Sequence, residues 1–528
     1  MSSAVLPRIL VADPLAEDGI ERLRKSAEVE VRTKQSEPAL VEMIGDFDAL
    51  VVRSETKVTA PLLEAAHRLK VVGRAGVGID NIDVAAATSR GILVVNAPRG
   101  NIIAAAEHTI GLLMALARNI PQADASIRRG EWERKKYTGV EIRGKVLGLL
   151  GLGNIGSEVA KRAQGLEMEV ISFDPAITAE RAEQLKVTLV TLKELFGQAD
   201  FVSVHVPLVE ATRNLVDGRL FELAKPGLRL INAARGGIVN EEALAEALRQ
   251  GQVAGAAADV FGQEPLGASP LLDLPNFIAT PHIAASTTEA QKSVAFDVAE
   301  EVLAVLEGEP PRFAINAPSI SAEELAFQRP FITLSHRLAS LYVQLYGGRV
   351  SSLELELAGE LAEREGSLLA AAAIQGLIQP FVEERITPVN ARLVATKRCL
   401  TVTERRTPVA AHGYDNVLTL RVDGQELSGT VLLGEPRAMQ IGRFRIDLVL
   451  AGRWLASRHE DRPGVVGQVG SILGQHQVNI ASMQLGRDAS SRQAIMFLSV
   501  DQAVHQDVMN DLQAVPGVAD LRYLELDD

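Results

Sequence analysis

One cysteine, Cys399, occurs among 528 residues. No disulfide can form within the chain, which is the usage expected in a reducing compartment. No apolar run reaches the roughly 18–20 residues that span a bilayer. The short apolar run Val5–Ala12 is interrupted by Pro7 and Arg8, so no secretory signal is expected either. Cations are in deficit: 54 Lys plus Arg stand against 67 Asp plus Glu, a formal net charge of -13. Non-specific nucleic-acid binding needs clustered cations against phosphates and is thereby disfavoured. Internal repeats and low-complexity segments are lacking, and no metal site is assigned. These absences lead to the expectation of a cytoplasmic protein with no membrane or nucleic-acid partner.

What is present is globular. Hydrophobic residues at 47% and charged residues at 23% exclude a disordered chain, a collagen-like repeat and a coiled-coil rod. The length exceeds a single core and predicts three or four domains at roughly 100–200 residues each.

In the first hundred residues, strands are predicted at Arg8–Ala12, Asp48–Val52, Leu69–Gly73 and Ile92–Val95, with helices at Leu15–Ser26 and Ala60–His67. Strand and helix in alternation imply a parallel sheet with helices on both faces. Pro98-Arg99-Gly100 breaks the pattern before a helical stretch, Ala104–Ala117. A second alternating block begins at Lys145. Val146–Leu150 is unbroken apolar sequence, the pattern of a central parallel strand. Sister strands are predicted at Val170–Phe173, Phe201–Val204, Leu228–Asn232, Ala256–Val260 and Phe277–Ala279. The long amphipathic helix Thr287–Glu307 returns to the composition of the first block, so the first lobe is expected to be completed from both sides. From Pro318 to Gly452 a helical pattern precedes strands at Asn416–Val422, Gly429–Leu433 and Arg443–Asp447. Trp454–Asp528 reads as strand, helix, strand, strand, helix, strand.

Gly151-Leu-Gly153-Asn154-Ile155-Gly156 follows the apolar strand directly and opens a helix predicted over Ser157–Gln164. The first glycine permits a tight turn, the second lets backbone approach a pyrophosphate, and the third lets helix and strand pack closely. The helix N-terminus adds free N–H groups and a favourable dipole. Asp174 ends the next strand, 23 residues after Gly151. A carboxylate there accepts hydrogen bonds from ribose hydroxyls and repels a 2′-phosphate, so NAD is expected rather than NADP. His205 and Pro207 follow another strand end and are expected beside the cofactor, as are Ala233 and Asp259.

Arg235, Glu264 and His282 each follow a strand of this second block. In open α/β sheets the carboxyl ends of strands face the ligand crevice. Oxidising a hydroxyl to a carbonyl requires a base for the hydroxyl proton, and histidine titrates near neutrality. A carboxylate partner orients the ring and favours imidazolium. An arginine clamps a carboxylate bidentately and polarises a forming carbonyl.

The order of glycine loop, Arg235-Gly-Gly, Asp259-Val-Phe-x-x-Glu264-Pro and Thr280-Pro-His282-Ile-Ala-Ala-Ser resembles the D-2-hydroxyacid dehydrogenase family. Arg53-Ser54-Glu-Thr-Lys57, Val72-Gly-Arg74-Ala-Gly76-Val-Gly78-Ile-Asp80-Asn-Ile-Asp83 and Trp132-Glu-Arg134-Lys135-Lys136 are similar to its long-form phosphoglycerate-oxidising branch. The resemblance spans essentially the whole chain. It implies Arg235 as substrate-binding arginine, Glu264 as the histidine's partner and His282 as acid/base. Arg53, Ser54, Arg74 and Gly76 fall to the substrate side, two of them cations able to neutralise a phosphate. The basic run Arg134–Lys136 is expected to reach a neighbouring subunit. In the tail, His459-Glu-Asp461-Arg-Pro-Gly464, a helix at Gln468–His476 and then Val478-Asn479-Ile480 resemble an ACT regulatory domain, which implies L-serine held by His459, Asp461 and Asn479.

The implied fold is α/β. It has two doubly wound parallel-sheet lobes, a Rossmann nucleotide lobe and a flavodoxin-like substrate lobe, plus an α+β intervening domain and a ferredoxin-like ACT domain. The expected boundaries are 1–99 for the substrate lobe (completed by 285–317), 100–284 for the NAD lobe, 318–452 for the intervening domain and 453–528 for the ACT domain. The implied activity is NAD-dependent oxidation of 3-phospho-D-glycerate, the first step of L-serine biosynthesis, with serine feedback in a homotetramer. A glyoxylate or hydroxypyruvate reductase and a non-catalytic NAD-sensing scaffold stay open as alternatives.

Overall fold

The computed structural model describes residues 6–318, 320–409, 413–488 and 491–526. Strands β1 (Arg8–Val11), β2 (Glu28–Val31), β3 (Ala49–Val52), β4 (Val71–Arg74) and β5 (Leu93–Asn96) form a parallel sheet in the order β2-β1-β3-β4-β5. That is the flavodoxin-like order. Every residue of β3 is buried, as a central strand covered on both faces requires. The strand β2 is absent from the sequence expectations. Its Glu-Val-Glu-Val sequence pairs on one side only and half of it faces water, so no apolar run marks it.

One face of this sheet is covered by Leu40, Leu62 and Leu63 of local helices. The opposite face is covered from far away. Val294, Val298, Ala299 and Val302, on the helix Thr288–Leu306, pack against Ile9, Val11, Val51 and Val71. This helix lies so close to the helix Glu17–Arg24 that a Cβ on Gly19 would stand 2.6 Å from the Ala295 carbonyl oxygen.

Strands β6 (Val146–Leu150), β7 (Glu169–Phe173), β8 (Thr188–Leu189), β9 (Phe201–Val204), β10 (Leu228–Asn232), β11 (Val253–Ala258) and β12 (Phe277–Ala279) form a second parallel sheet. Its order is β12-β11-β10-β9-β6-β7-β8, so the winding reverses between β6 and β9. That reversal opens a crevice at the carboxyl ends, where ligands of doubly wound sheets bind. The strand β11 starts three residues earlier than predicted and stops before Asp259, because Val253-Ala-Gly carries too little side chain to read as a strand from sequence.

Strands β13 (Ser352–Gly359), β14 (Thr401–Thr407), β15 (Asn416–Val422), β16 (Gln425–Leu432), β17 (Glu435–Ile441) and β18 (Phe444–Val449) form a mixed sheet in the order β14-β13-β15-β16-β17-β18. The alternation in β13 places Leu353, Leu355 and Leu357 inside and glutamates outside. Leu and Glu also favour helix, which is why the sequence does not mark this strand. The edge strand β14 is largely exposed and carries no apolar signal.

The last unit holds β19 (Gly452–Glu460), β20 (Ile480–Asp488), β21 (Gln493–Val500) and β22 (Val518–Leu526), antiparallel in the order β20-β21-β19-β22. Two helices cover one face through Val469, Leu473, Val508 and Leu512. Trp454, Phe497 and Leu524 on the other face share a core with Leu338 and Tyr342 of the helix Ala322–Tyr346. The last two sheets are therefore continuous in packing. Gln344 reinforces this join: its amide donates to the Glu525 carbonyl at 2.8 Å and accepts from the Glu525 N–H at 2.9 Å.

Adding a methyl at Gly19 would force the two helices apart. Gly19→Ala is expected to lower stability by about 1–3 kcal/mol, seen as a lower urea midpoint, while NADH binding at the second sheet persists.

Candidate active site

A cavity of about 820 Å³ lies between the carboxyl edges of the two parallel sheets. The first sheet contributes Arg53, Ser54, Arg74, Gly76, Gly78 and Asp80, and the second contributes Ile155, Ala233, Arg235, Glu264 and His282.

The glycine loop follows β6. Gly151 has φ 98°, and a Cβ there would sit 2.7 Å from the His205 carbonyl oxygen. A Cβ on Gly156 would lie 2.3 Å from the Gly151 carbonyl oxygen. Both positions therefore require glycine for internal packing. Gly153 differs, because no atom lies within 4 Å of its built Cβ. The open side of Gly153 and the N-terminus of the helix Asn154–Gly165 make a cradle suited to a pyrophosphate. This helix starts three residues before the predicted Ser157, which brings Asn154 and Ile155 into its first turn. The Asp174 carboxylate accepts from Leu152 N–H and Ala176 N–H, each at 2.8 Å. Two of its four lone-pair sites remain for ribose hydroxyls.

His205 lies beneath this loop. Its Nε2 is 2.9 Å from Ser203 Oγ, on the buried strand β9. Burial lowers its pKa to about 4, so the ring is neutral at physiological pH. Pro207 follows in an exposed irregular segment, and Ala233 lines the cavity.

His282 stands at φ 53°, an unusual left-handed conformation for a residue with a side chain. Its Nδ1 is 2.7 Å from Glu264 Oε2. The other Glu264 oxygen accepts from Phe261 N–H at 3.0 Å, which fixes the carboxylate. With Nδ1–H donating to an ionised carboxylate, Nε2 is left as the basic atom.

The loop carrying His282 is pinned from below by Asp259, which is fully buried. Its carboxylate accepts from Thr280 Oγ1 at 2.6 Å, Ile283 N–H at 2.9 Å and Ala284 N–H at 2.8 Å. Its carbonyl accepts from His282 N–H at 2.9 Å. Burial acts to raise the Asp259 pKa, but hydrogen bonds from His108, Thr280 and the loop amides outweigh it and hold the group below the ordinary carboxylate range.

Arg235 follows β10 and reaches across the crevice. Its Nη1 donates to the Ala234 carbonyl at 2.7 Å, and its Nε lies 3.4 Å from Asp80 Oδ2 on the opposite lobe. Glycines make the room: a Cβ on Gly78 would lie 2.3 Å from Arg235 Nη2, and one on Gly76 would lie 1.9 Å from Arg74 Nη1. Among the described residues, no carboxylate lies within ion-pair distance of Arg53 or Arg74. The Arg74 Nε is buried without a hydrogen-bond partner. Burial and then the nearby Arg235 charge lower the Arg74 pKa to about 10, which still leaves it cationic at neutral pH.

Three contributors escape a reading of the sequence. Asp80 sits in a motif whose other residues draw attention, His108 lies inside a plain helical stretch, and neither has a spacing signal. Asp13 is the third. Its carboxylate accepts from Arg53 N–H at 2.6 Å and Thr56 N–H at 3.1 Å, which shapes the loop that carries Arg53.

The remaining sequence candidates lie elsewhere. Arg134–Tyr137 forms an exposed short turn, with Lys136 paired to Glu133 at 3.1 Å. In the last unit His459 is buried, and its Nδ1 lacks a hydrogen-bond partner. Asp461 pairs with Arg487 at 2.6 Å, and Asn479 donates to Asp501 at 2.6 Å.

Residues 110–284 match the model for the D-isomer specific 2-hydroxyacid dehydrogenase NAD binding domain. Residues 328–442 match the D-3-phosphoglycerate dehydrogenase intervening domain, and residues 455–517 match the ACT domain. The curated D-3-phosphoglycerate dehydrogenase of Archaeoglobus fulgidus is 43% identical over 98% of this chain and 100% of its own length. That of Bacillus subtilis is 42% identical over 98% of this chain and 99% of its own. Among solved structures, the TT0316 protein of Thermus thermophilus aligns with a TM-score of 0.54 and 36% identity over 58% of this chain and 99% of its own. A glyoxylate reductase from Paecilomyes thermophila gives 0.55 and 29% identity over 59% and 98%.

The nucleotide cradle and these matches define an NAD-dependent dehydrogenase of the D-2-hydroxyacid type. Agreement along nearly the full length goes further, and the chain belongs to the D-3-phosphoglycerate dehydrogenase family. No helix among the described residues is long and apolar enough to cross a membrane.

The two kinds of glycine are separable by experiment. Gly153→Val is expected to weaken NADH binding about tenfold or more, equal to roughly 1.4 kcal/mol, with the urea midpoint of the free protein unchanged. Gly156→Val is expected to lower that midpoint as well.

Proposed function

We propose that this enzyme oxidises 3-phospho-D-glycerate to 3-phosphooxypyruvate, the first step of L-serine biosynthesis. The observation that carries the reading is the convergence of Arg53, Arg74 and Arg235 on one cavity beside the His282–Glu264 pair. Arg235 and the Val77 and Gly78 N–H groups hold the carboxylate, with Gly76 shaping the loop through its own N–H bond to the Arg74 carbonyl at 2.9 Å. Arg53 and Arg74, with the Ser54 hydroxyl, hold the phosphate. Gly151, Gly153, Asn154, Ile155 and Gly156 would hold the cofactor pyrophosphate and Asp174 the adenosine ribose. His205, Pro207, Ala233 and Asp259 support the nicotinamide side, His205 and Asp259 from beneath. When bound, NAD supplies the acceptor for the C2 hydride.

His282 Nε2 takes the hydroxyl proton as the carbonyl forms. Glu264 stabilises the resulting imidazolium through Nδ1–H, and Arg235 polarises the new carbonyl. In the reverse direction the same imidazolium returns the proton. The activity named for the Paecilomyes relative favours a second reading, reduction of a smaller 2-oxoacid such as glyoxylate or hydroxypyruvate. A small oxoacid gives Arg53 and Arg74 nothing to bind, which leaves two cations facing each other without purpose. A scaffold role needs no His282–Glu264 pair.

The reading extends to assembly and regulation. We take 1–99 with 285–317 as the substrate lobe, 100–284 as the NAD lobe, 318–452 as the intervening domain and 453–528 as the ACT domain. The enzyme works in the cytoplasm as a homotetramer, and L-serine inhibits it through His459, Asp461 and Asn479. The aspartate meets the ammonium group of serine, so serine must displace Arg487 from Asp461.

NADH absorbance tests the substrate. Arg53→Ala with Arg74→Ala is expected to raise KM for 3-phospho-D-glycerate far more than for D-glycerate. Equal effects on both would overturn the phosphate assignment. Serine regulation is tested in the full-length enzyme: millimolar L-serine should inhibit turnover, and Asp461→Asn should abolish that inhibition. Insensitivity of the unaltered enzyme would remove serine as effector.

A further inference from the structure

Two carboxylates line the cavity among the described residues, Glu264 and Asp80. Glu264 is engaged by His282 and by Phe261 N–H. Asp80 faces the other lobe, with its Oδ2 3.4 Å from Arg235 Nε. The meeting point lies over the Gly76–Gly78 loop: a Cβ built on Gly78 would stand 2.8 Å from Asp80 Oδ2 and 2.3 Å from Arg235 Nη2. The Nε–Nη2 edge of a guanidinium is one of those that clamp a carboxylate bidentately. Arg235 Nη1 is already committed to the Ala234 carbonyl. A ligand carboxylate and Asp80 therefore want the same edge of the same arginine.

We propose that Asp80 is a built-in stand-in for the ligand's carboxylate. It holds Arg235 across the cleft before ligand binds, yields the guanidinium to an incoming 2-hydroxy or 2-oxo acid, and thereby sets the affinity for such anions. The proposal rests on Arg235 as the carboxylate-binding arginine.

Two effects of Asp80 oppose each other. As a competitor it weakens anion binding, and as an anchor for Arg235 it strengthens binding. The anchoring effect is small. The Asp80 side chain is 72% exposed, and exposed ion pairs order little. Arg235 has other supports, its own Nη1 bond to Ala234 and the Asn232 amide, which donates to the Arg235 carbonyl at 3.0 Å. Competition dominates, so removing the Asp80 charge should tighten anion binding.

The test titrates oxalate, an unreactive carboxylate with an adjacent oxygen, into the NADH-loaded full-length enzyme and follows NADH fluorescence. The proteins compared are the unaltered enzyme, Asp80→Asn, Arg235→Ala and the double variant. Asp80→Asn is expected to lower the oxalate Kd roughly fivefold, the effect of one unit charge near 4 Å in a water-like dielectric. KM for the hydroxyacid should fall in parallel. In the Arg235→Ala background the same change should have no such effect. Asp80→Ser serves as a second charge-removing variant, and thermal midpoints report folding. Weaker or unchanged oxalate binding in both charge-removing variants overturns the proposal. So does equal tightening with and without Arg235, which would mark a general field effect. If Arg235→Ala alone leaves oxalate binding unaltered, the carboxylate reading of Arg235 falls, and the Asp80 proposal with it. If Arg235→Ala weakens binding but neither charge-removing variant tightens it, only the Asp80 proposal falls.

Discussion

Like charges repel, and this fold holds three guanidinium groups on the wall of one cavity. Much of the surrounding architecture makes that tolerable. Glycines at 76 and 78 remove the side chains that the arginines would strike. Asp13 ties down the Arg53 loop from behind, and Asp80 meets Arg235 from the front. Arg74 bears the largest burden. It has a buried Nε with no hydrogen-bond partner, and its pKa is pulled to about 10 by burial and by Arg235. A buried unsatisfied donor costs about 1–3 kcal/mol. A site this cationic within a chain of net charge -13 is poised for an anionic ligand, because such a ligand relieves the repulsion that the fold has accumulated.

The second lobe stores strain of another kind. His282 sits in the left-handed region, where a residue with a Cβ costs roughly 1–2 kcal/mol. Asp259 offsets that cost. From full burial it gathers Thr280 Oγ1 and two loop N–H groups on its carboxylate, while its carbonyl takes the His282 N–H. The imidazole is thus aimed by backbone held from beneath, and Glu264 supplies the final orientation at 2.7 Å. His205 acts under the glycine loop in a comparable way, as a neutral ring bonded to Ser203.

Beyond the catalytic lobes the packing is layered. The mixed sheet and the ACT sheet share one hydrophobic core around the helix Ala322–Tyr346, and Gln344 stitches that helix to the last strand. Thr387 Oγ1 of the mixed-sheet unit donates to the Gly91 carbonyl of the first lobe at 3.1 Å. The mixed-sheet unit therefore touches the first parallel-sheet lobe directly, at the turn before β5.

The sequence by itself determined the parallel sheets, because buried strands such as Val146–Leu150 and Ala49–Val52 are unbroken apolar runs. It also located the glycine loop and the strand-end residues Arg235, Glu264 and His282, because each belongs to a motif whose spacing is local. It did not reveal β2, β8, β13, β14 or β17: β2, β14 and β17 are largely polar, β8 is two residues long, and the Leu-Glu alternation of β13 is built from residues that also favour helix. Only the tertiary structure decided which residues meet across the cleft. Asp80 and Arg235 lie on loops after strands of different sheets, and the helix Thr288–Leu306 covers strands that precede it by more than two hundred residues. Spacing along a chain encodes a turn or a helix face. It cannot encode the distance between two charges brought together by the docking of two lobes.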